Sequence, residues 1–325
     1  MGGLATNRDS DRRSINVFRN IGGCIGTAIG AVACLPLLKA FGALDRTGNL
    51  AADPKAVSRG FILAASVMGV ICILGCLSHF FTTRERVKPI DETEEHLSLR
   101  ETFRILYSYR PFVMNTIYIL FYGIINLLLM TCITYYATYV LGRTSAATPI
   151  QAVYLVASLG TSVLVGAIDN RLGRKNTMLL GGACYVLGKL WFIFDPFSMG
   201  AIYVNCFFTG IAVAITFVMF NTNRNNLTDL IEWREGRRVD GMIGTADNLA
   251  TKFGEAIASL LLTSALASAG YNAELSVQPE TAVRAICAML GWVPAVCGIL
   301  LIVVVLFLDI DKEMARMKAG EKAKK

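Results

Sequence analysis

PFVMNTIYILFYGIINLLLMTCITYYATYVLG, residues 111–142, runs for 32 positions without a charged side chain. About 20 mostly apolar residues cross a bilayer core as a helix, which satisfies its own backbone where lipid offers no partners. This stretch is long enough to span with residues to spare. Others match it: residues 60–81 give 22 positions and residues 285–308 give 24 positions free of Asp, Glu, Lys and Arg.

Outward from that stretch, the same texture covers most of the 325 residues. Hydrophobic side chains make up 54% and charged ones 17%, and mean hydropathy is +0.52. A soluble domain carries about 25% charge. The composition therefore excludes an ordinary soluble enzyme and a disordered chain. It reads as an all-α polytopic membrane protein with eight spans, near 18–44, 59–81, 111–142, 147–168, 177–194, 198–222, 243–269 and 283–308. Gly22, Gly26 and Gly30 line one face of the first span. Small residues at that spacing let helix backbones approach in lipid, so close packing against another helix is expected there.

The net charge of +7 is distributed by topology. Segments 1–17, 82–110, 169–176, 223–241 and 309–325 hold 22 Lys and Arg, whereas 45–58, 143–148, 195–197 and 270–282 hold 3. Such a bias places both termini in the cytoplasm of a multi-pass protein of the cell's inner membrane. Orientation explains the basicity, and no nucleic-acid partner is expected. All nine cysteines lie in apolar stretches without zinc-ligand spacing, and His79 and His96 are the only histidines. HExxH, Walker and GxSxG patterns are absent, so neither an enzyme nor a resident metal or cofactor is expected. The opening MGGLATNRDSDRRS has no apolar run after its basic residues, unlike a signal peptide.

Ionisable groups inside spans need a reason, since each costs about 2.5–3.5 kcal/mol at a helix centre. The seventh span has the densest set: Asp247, Asn248, Lys252 and Glu255. Lys252 and Glu255 are i, i+3 neighbours, and Asn248 shares the face of Lys252. They read either as a self-neutralised pair near a helix end or as a polar stripe facing a solute pathway. Arg19 opens the first span, where snorkelling to the interface competes with a functional role. Lys39 and Lys189 lie near span ends, and snorkelling is expected for both. Phe217 is either lipid-facing or a stacking platform for a sugar ring. Tyr135, Tyr136 and Tyr139 fit an interfacial aromatic belt. Residues 82–110 form a long connection ending in a short amphipathic helix, with Ser98 and Glu101 at capping-box spacing. GAIDNRLGRKN (166–176) and DLIEWREGRRVDG (229–241) mix acids and bases in short loops, consistent with charge latches between helix ends.

These motifs together resemble the glycoside–pentoside–hexuronide:cation symporters, the family of melibiose permease, within the major facilitator superfamily. FFTTRERVKP (80–89) resembles the exit from that family's sixth helix. YRPF (109–112) and YYATYVLG (135–142) resemble the ends of its seventh. GAIDNRLGRK resembles the superfamily's loop signature, with acid and arginine one residue off the usual spacing. The family pattern DYGEWKTGxRxEG is matched by Asp229, Glu232, Trp233, Arg234, Gly236, Arg238, Asp240 and Gly241, with Leu230, Ile231 and Glu235 departing from it. ATKFGEAI (250–257) and AGY (269–271) resemble its eleventh helix.

The resemblance implies a major-facilitator-type helical bundle whose eight predicted spans correspond to helices five to twelve of twelve. Residues 1–81 would be a remnant of the N-terminal bundle, 82–110 the cytoplasmic central loop, 111–308 the C-terminal six-helix bundle and 309–325 a basic cytoplasmic tail. It also implies symport of a sugar or glycoside with Na⁺, Li⁺ or H⁺. RDSDRRSINVFR (8–19) would be the 4–5 loop, placing Arg19 on a sugar-recognition arginine. Lys252 would be the eleventh-helix lysine at the sugar and cation sites. Asn248 stands where threonine is usual, and Phe217 lies near the tenth-helix tryptophan. Asp169, Arg171, Arg174, Asp229, Glu232, Arg238 and Asp240 would form cytoplasmic latches. The family's cation-binding acids lie on helices two and four, which have no counterpart here, so a truncated transporter is expected. The alternatives are a non-transporting membrane sensor or scaffold or a degenerate fragment, and a lipid or lysolipid carrier of the same superfamily.

Overall fold

A computed structural model describes residues 9–43, 53–82, 99–143, 146–236, 240–273, 275 and 277–320. All regular structure among them is helical. The elements are α1 (Asp9–Ala40), α2 (Pro54–Thr82), α3 (Leu99–Ser108), α4 (Arg110–Tyr135), α5 (Ala147–Leu172), α6 (Arg174–Phe194), α7 (Met199–Glu235), α8 (Asp240–Ser268), α9 (Glu280–Leu290), α10 (Trp292–Leu306) and α11 (Ile310–Lys318). Seven stretches are long and apolar enough to cross a membrane: α2, α4 with its extension to Val140, α5, α6, α7, α8, and α9 to α11 taken together. The remaining expected span, 18–44, falls in the 32-residue α1, which holds Pro36.

Local chemistry sets the boundaries. Pro111 sits in the first turn of α4, where its missing N–H costs nothing. The far end of α4 widens into a π-helical turn over Tyr136–Val140. Gly173 (φ +79°) separates α5 from α6 within one residue, and its N–H closes back on Asp169 O at 2.9 Å. Gly236 (φ +69°) ends α7 in the left-handed conformation that side-chain-bearing residues avoid.

The bundle is organised around α7. At 37 residues it is about 55 Å long by helical rise, exceeding a hydrocarbon core of about 30 Å. It packs against α5 and α6 along its length, and also meets α1, α4, α8 and α11. A second seam joins α4 to α8, and α10 closes the bundle against α6 and α4. α2 touches the rest through α1, where Leu38, Ala43 and Ala64 form a separate small core.

The α4–α8 seam depends on two glycines. A Cβ at Gly123 would stand 2.6 Å from Thr251 O, and a Cβ at Gly254 would run into Leu120 O. Each helix thus accepts the other's backbone at its own glycine. The glycine stripe of α1 behaves otherwise. Gly22, Gly26 and Gly30 are exposed with nothing within 4 Å of a Cβ position. Among the described residues nothing packs on that face, and α1 meets α5 and α7 elsewhere.

Candidate functional site

Three faces run along α8. Ile243, Ala246, Asp247, Ala250, Gly254 and Ala258 are buried against α4 and α7. Leu249, Phe253 and Leu260 form an exposed apolar face suited to lipid. Thr245, Asn248, Lys252, Ser259 and Thr263 are exposed along a third face, with Glu255 half-buried beside them. At about 1.5 Å per residue this polar stripe covers about 27 Å, nearly the depth of a bilayer core. Lys252 Nζ and Glu255 Oε2 meet at 2.7 Å, with the lysine side chain 74% exposed. Asp247, grouped with this set by sequence, leaves the stripe and lies on the buried face.

The partner of Asp247 is Arg224 of α7, Nε to Oδ2 at 2.5 Å. Arg224 falls in the segment 223–241 expected on the cytoplasmic side as a loop; α7 instead continues helically through it to Glu235. One turn earlier on α7, Asn221 Oδ1 accepts from Arg19 Nη1 of α1 at 3.3 Å, and Asn221 Nδ2 donates to Phe217 O at 2.8 Å. Phe217 is half-buried in an aromatic cluster, its ring 5.4 Å from Phe220 and 6.4 Å from Tyr122. Arg19, Asn221 and Phe217 therefore form one hydrogen-bonded group, and the Arg224–Asp247 pair stands one turn further along α7. Lys252 and Asn248 stand apart on the stripe.

Deeper polar contacts hold α7 in place. Tyr118 Oη and Thr216 Oγ1 are 3.2 Å apart, and Asn223 Nδ2 donates to Asn115 Oδ1 at 3.2 Å. Lys189 corrects an expectation: it is fully buried, not snorkelling. Its ammonium donates to Asn205 Oδ1 and, at 3.0 Å, to Thr209 Oγ1. Hydroxyl and amide acceptors on α7 capture the charge before it reaches the interface. Tyr136 is also buried, donating to Pro196 O at 2.6 Å, whereas Tyr139 pairs with Tyr271 at 2.8 Å between hydroxyls.

At the basic end, Arg174 is wedged between α7 and α11. It meets Asp311 at 3.4 Å, and the Asn226 amide, with its oxygen turned inward, accepts from the same guanidinium. Lys175 Nζ caps α10 by donating to Leu306 O at 2.8 Å. Asp169 is buried near this junction and Arg171 is exposed. Asp229 and Glu232 are half-buried on the last turns of α7. Arg234 stacks over Tyr109 at 5.2 Å. Burial pushes the Tyr109 phenol up to about 12, with Glu313 reinforcing the shift and Arg234 opposing it. The expected latch residue Arg238 and the expected cap Ser98 lie outside the described residues, and Asp240 is described only as the first residue of α8. Residues 309–325 contain the docked helix α11, whose Ile310 and Met314 are buried. Asp311 and its contact with Arg174 were not anticipated, although the amphipathic spacing of Ile310 and Met314 carries the signal.

A family model described as MFS/sugar transport protein matches residues 1–312. The chain belongs to this family. Its membership makes this a multi-pass membrane protein of a transporter family rather than an enzyme. The MFS chain is 26% identical over 321 residues to the isoprimeverose transporter of Lactiplantibacillus pentosus, covering 97% of this chain and 64% of that protein. It is 24% identical over 301 residues to the inner membrane symporter YicJ of Escherichia coli (strain K12), covering 92% and 62%. A glucuronide carrier protein homolog from the same organism is 25% identical over 239 residues, covering 73% and 52%. The chain thus spans less than two thirds of the length of these relatives.

Proposed function

We propose that this chain is the C-terminal two-thirds of a secondary transporter that carries a sugar or glycoside together with Na⁺, Li⁺ or H⁺. The observation that carries the reading is the polar stripe of α8. A lysine 74% exposed on a membrane-spanning helix is costly against lipid, so this face belongs to a water-filled pathway or to the other half of a transporter. The family match and the transport and symport names of the relatives support the same reading.

In this reading Lys252 and Arg19 donate hydrogen bonds to sugar hydroxyls, Asn248 lines the pathway, and Phe217 offers a ring face for stacking. A further four helices N-terminal to α1 complete the binding chamber and carry the principal cation ligands. The basic end faces the cytoplasm with both termini. There the junction of Arg174, Asn226 and Asp311, with Asp169, Arg171, Asp229, Glu232, Arg238 and Asp240 nearby in sequence, holds that side shut while the opposite side is open. Two bundles then rock about the midplane site.

The test is uptake by proteoliposomes containing the complete gene product, with radiolabelled glycosides and an imposed Na⁺ or proton gradient. Accumulation above the external concentration that collapses with the gradient is expected. Uptake indifferent to every imposed gradient would sink the symport reading.

A further inference from the structure

Asp247 is the most enclosed member of any ion pair among the described residues. Its side chain is 1% exposed and that of Arg224 is 19% exposed. One oxygen, Oδ2, accepts from Arg224 Nε; the other, Oδ1, is buried with no hydrogen-bond partner. An unpartnered carboxylate oxygen at such depth is expensive, and a proton is a ligand small enough to reach it.

The charges around it are few. α8 packs on α4, α7 and α9. α4 carries one charge, Arg110, at its first residue, and α9 contributes Glu280 and Arg284 at the opposite end of the bundle. Lys252 and Glu255 pair with each other on another face of α8, and Asp240 opens that helix at the basic end. α7 supplies Arg224, with Asp229, Glu232, Arg234 and Glu235 further toward the basic end. Beyond Arg224, and within its electrostatic reach, stands Arg19 of α1. Two guanidinium groups on two helices therefore lie within reach of each other, and Asp247 pairs with one of them, Arg224.

We propose that Asp247 is a proton-binding site that controls the contact between α1 and α7. Ionised Asp247 offsets Arg224, and Arg19 rests on Asn221 of the same helix. A proton that reaches Oδ1 forms an O–H bond there, and Asp247 becomes neutral. The charge-assisted bond from Arg224 weakens to one with a neutral acceptor. Arg19 and Arg224 then repel across the α1–α7 contact without compensation, and α1 moves away from α7. Loss of the proton restores the pair and closes the contact. This deepens the symport reading and rests on it only for the use to which the movement is put.

The test uses the full-length protein in lipid nanodiscs, on a cysteine-depleted background with spin labels at Ile25→Cys and Phe207→Cys. Acidification should lengthen the α1–α7 distance in the otherwise unmodified protein. Asp247→Asn should hold the acid distance at every pH, and Arg224→Gln should abolish the shift. In infrared difference spectra, acidification should give a protonated-carboxyl band that Asp247→Asn removes and Asp247→Glu displaces. A distance that ignores pH in the parent protein, or a shift that survives in Asp247→Asn, overturns the proposal. If Asp247→Asn does not fold, the Arg224→Gln distances and the Asp247→Glu band decide. A pH-dependent distance without any sugar uptake would remove the symport reading and leave the switch standing; gradient-driven uptake at a fixed distance would do the reverse.

Discussion

Lys189 and Thr209 meet at 3.0 Å inside the bundle, joining α6 to α7 through an ammonium whose hydrogen-bond partners are a hydroxyl and an amide. Neither partner supplies a counter-charge, so the lysine's burial depends on both acceptors. Thr209→Val removes one and should cost about 1–3 kcal/mol, the usual penalty for leaving a buried polar group short of a partner. Lys189→Met retains the length of the side chain and removes the desolvated charge, as in replacements of buried ionic groups by apolar ones. Thermal unfolding in detergent should therefore rank the methionine variant above the valine variant. The opposite order would mean that the ammonium is a net stabiliser.

Glycine substitutions separate packing from propensity. Gly254 lies on α8 where an added Cβ would enter the Leu120 carbonyl, and backbone cannot rotate aside as a flexible side chain can. Gly254→Ala should destabilise by about 1–3 kcal/mol through overpacking. Gly160, with nothing within 4 Å of its Cβ position, should tolerate alanine and gain up to about 1 kcal/mol of helix propensity. Denaturant unfolding of the two variants checks both signs.

Helix positions were legible because charge-free runs of bilayer length have one cheap solution in lipid. The all-helical class and the start of α4 at Pro111 follow from that and from backbone chemistry, whereas α7 runs past its expected end at 222 to Glu235. Contacts between helices were not legible. Lys189 looked like a snorkelling residue because distance to a span end was the only available measure, and the acceptors Asn205 and Thr209 lie on another helix. Arg224 was counted with a loop because a charge near the end of an apolar run resembles a boundary. The stripe of Gly22, Gly26 and Gly30 has the spacing for close packing, yet no described residue covers it, since spacing defines a face without saying what packs there. Within the candidate site, the i, i+3 relation of Lys252 to Glu255 was readable; the separation of Asp247 from that set depended on Arg224.

The junction at the basic end should fail unequally. Asp311 is 52% exposed and Arg174 13% exposed, so Asp311→Asn loses a solvent-screened attraction of about 0–1 kcal/mol. Arg174→Ala also strips the Asn226 amide of its donor and removes the side chain that fills the space between α7 and α11. Hydrogen exchange over Ile310–Lys318 should quicken clearly in Arg174→Ala and little in Asp311→Asn. Equal protection in both variants would show that burial of Ile310 and Met314 alone docks the helix.

Lys252 offers the cleanest separation of stability from function. Its side chain is 74% exposed and its one ion pair is a local i, i+3 contact. Exposed pairs of this kind contribute little, so Lys252→Ala in the complete protein should shift stability by no more than about 0.5 kcal/mol. Under the symport reading the same change removes a hydrogen-bond donor to the sugar and a charge beside the coupling cation, so concentrative uptake should disappear. Unchanged melting together with lost accumulation is the expected pair of results, measured by thermal unfolding and by proteoliposome uptake. Lost melting would make the lysine structural, and normal accumulation would remove it from the site. Glu255→Gln supplies the control. It frees the ammonium without deleting it, so sugar binding should persist, and any change in cation dependence would assign the carboxylate to coupling.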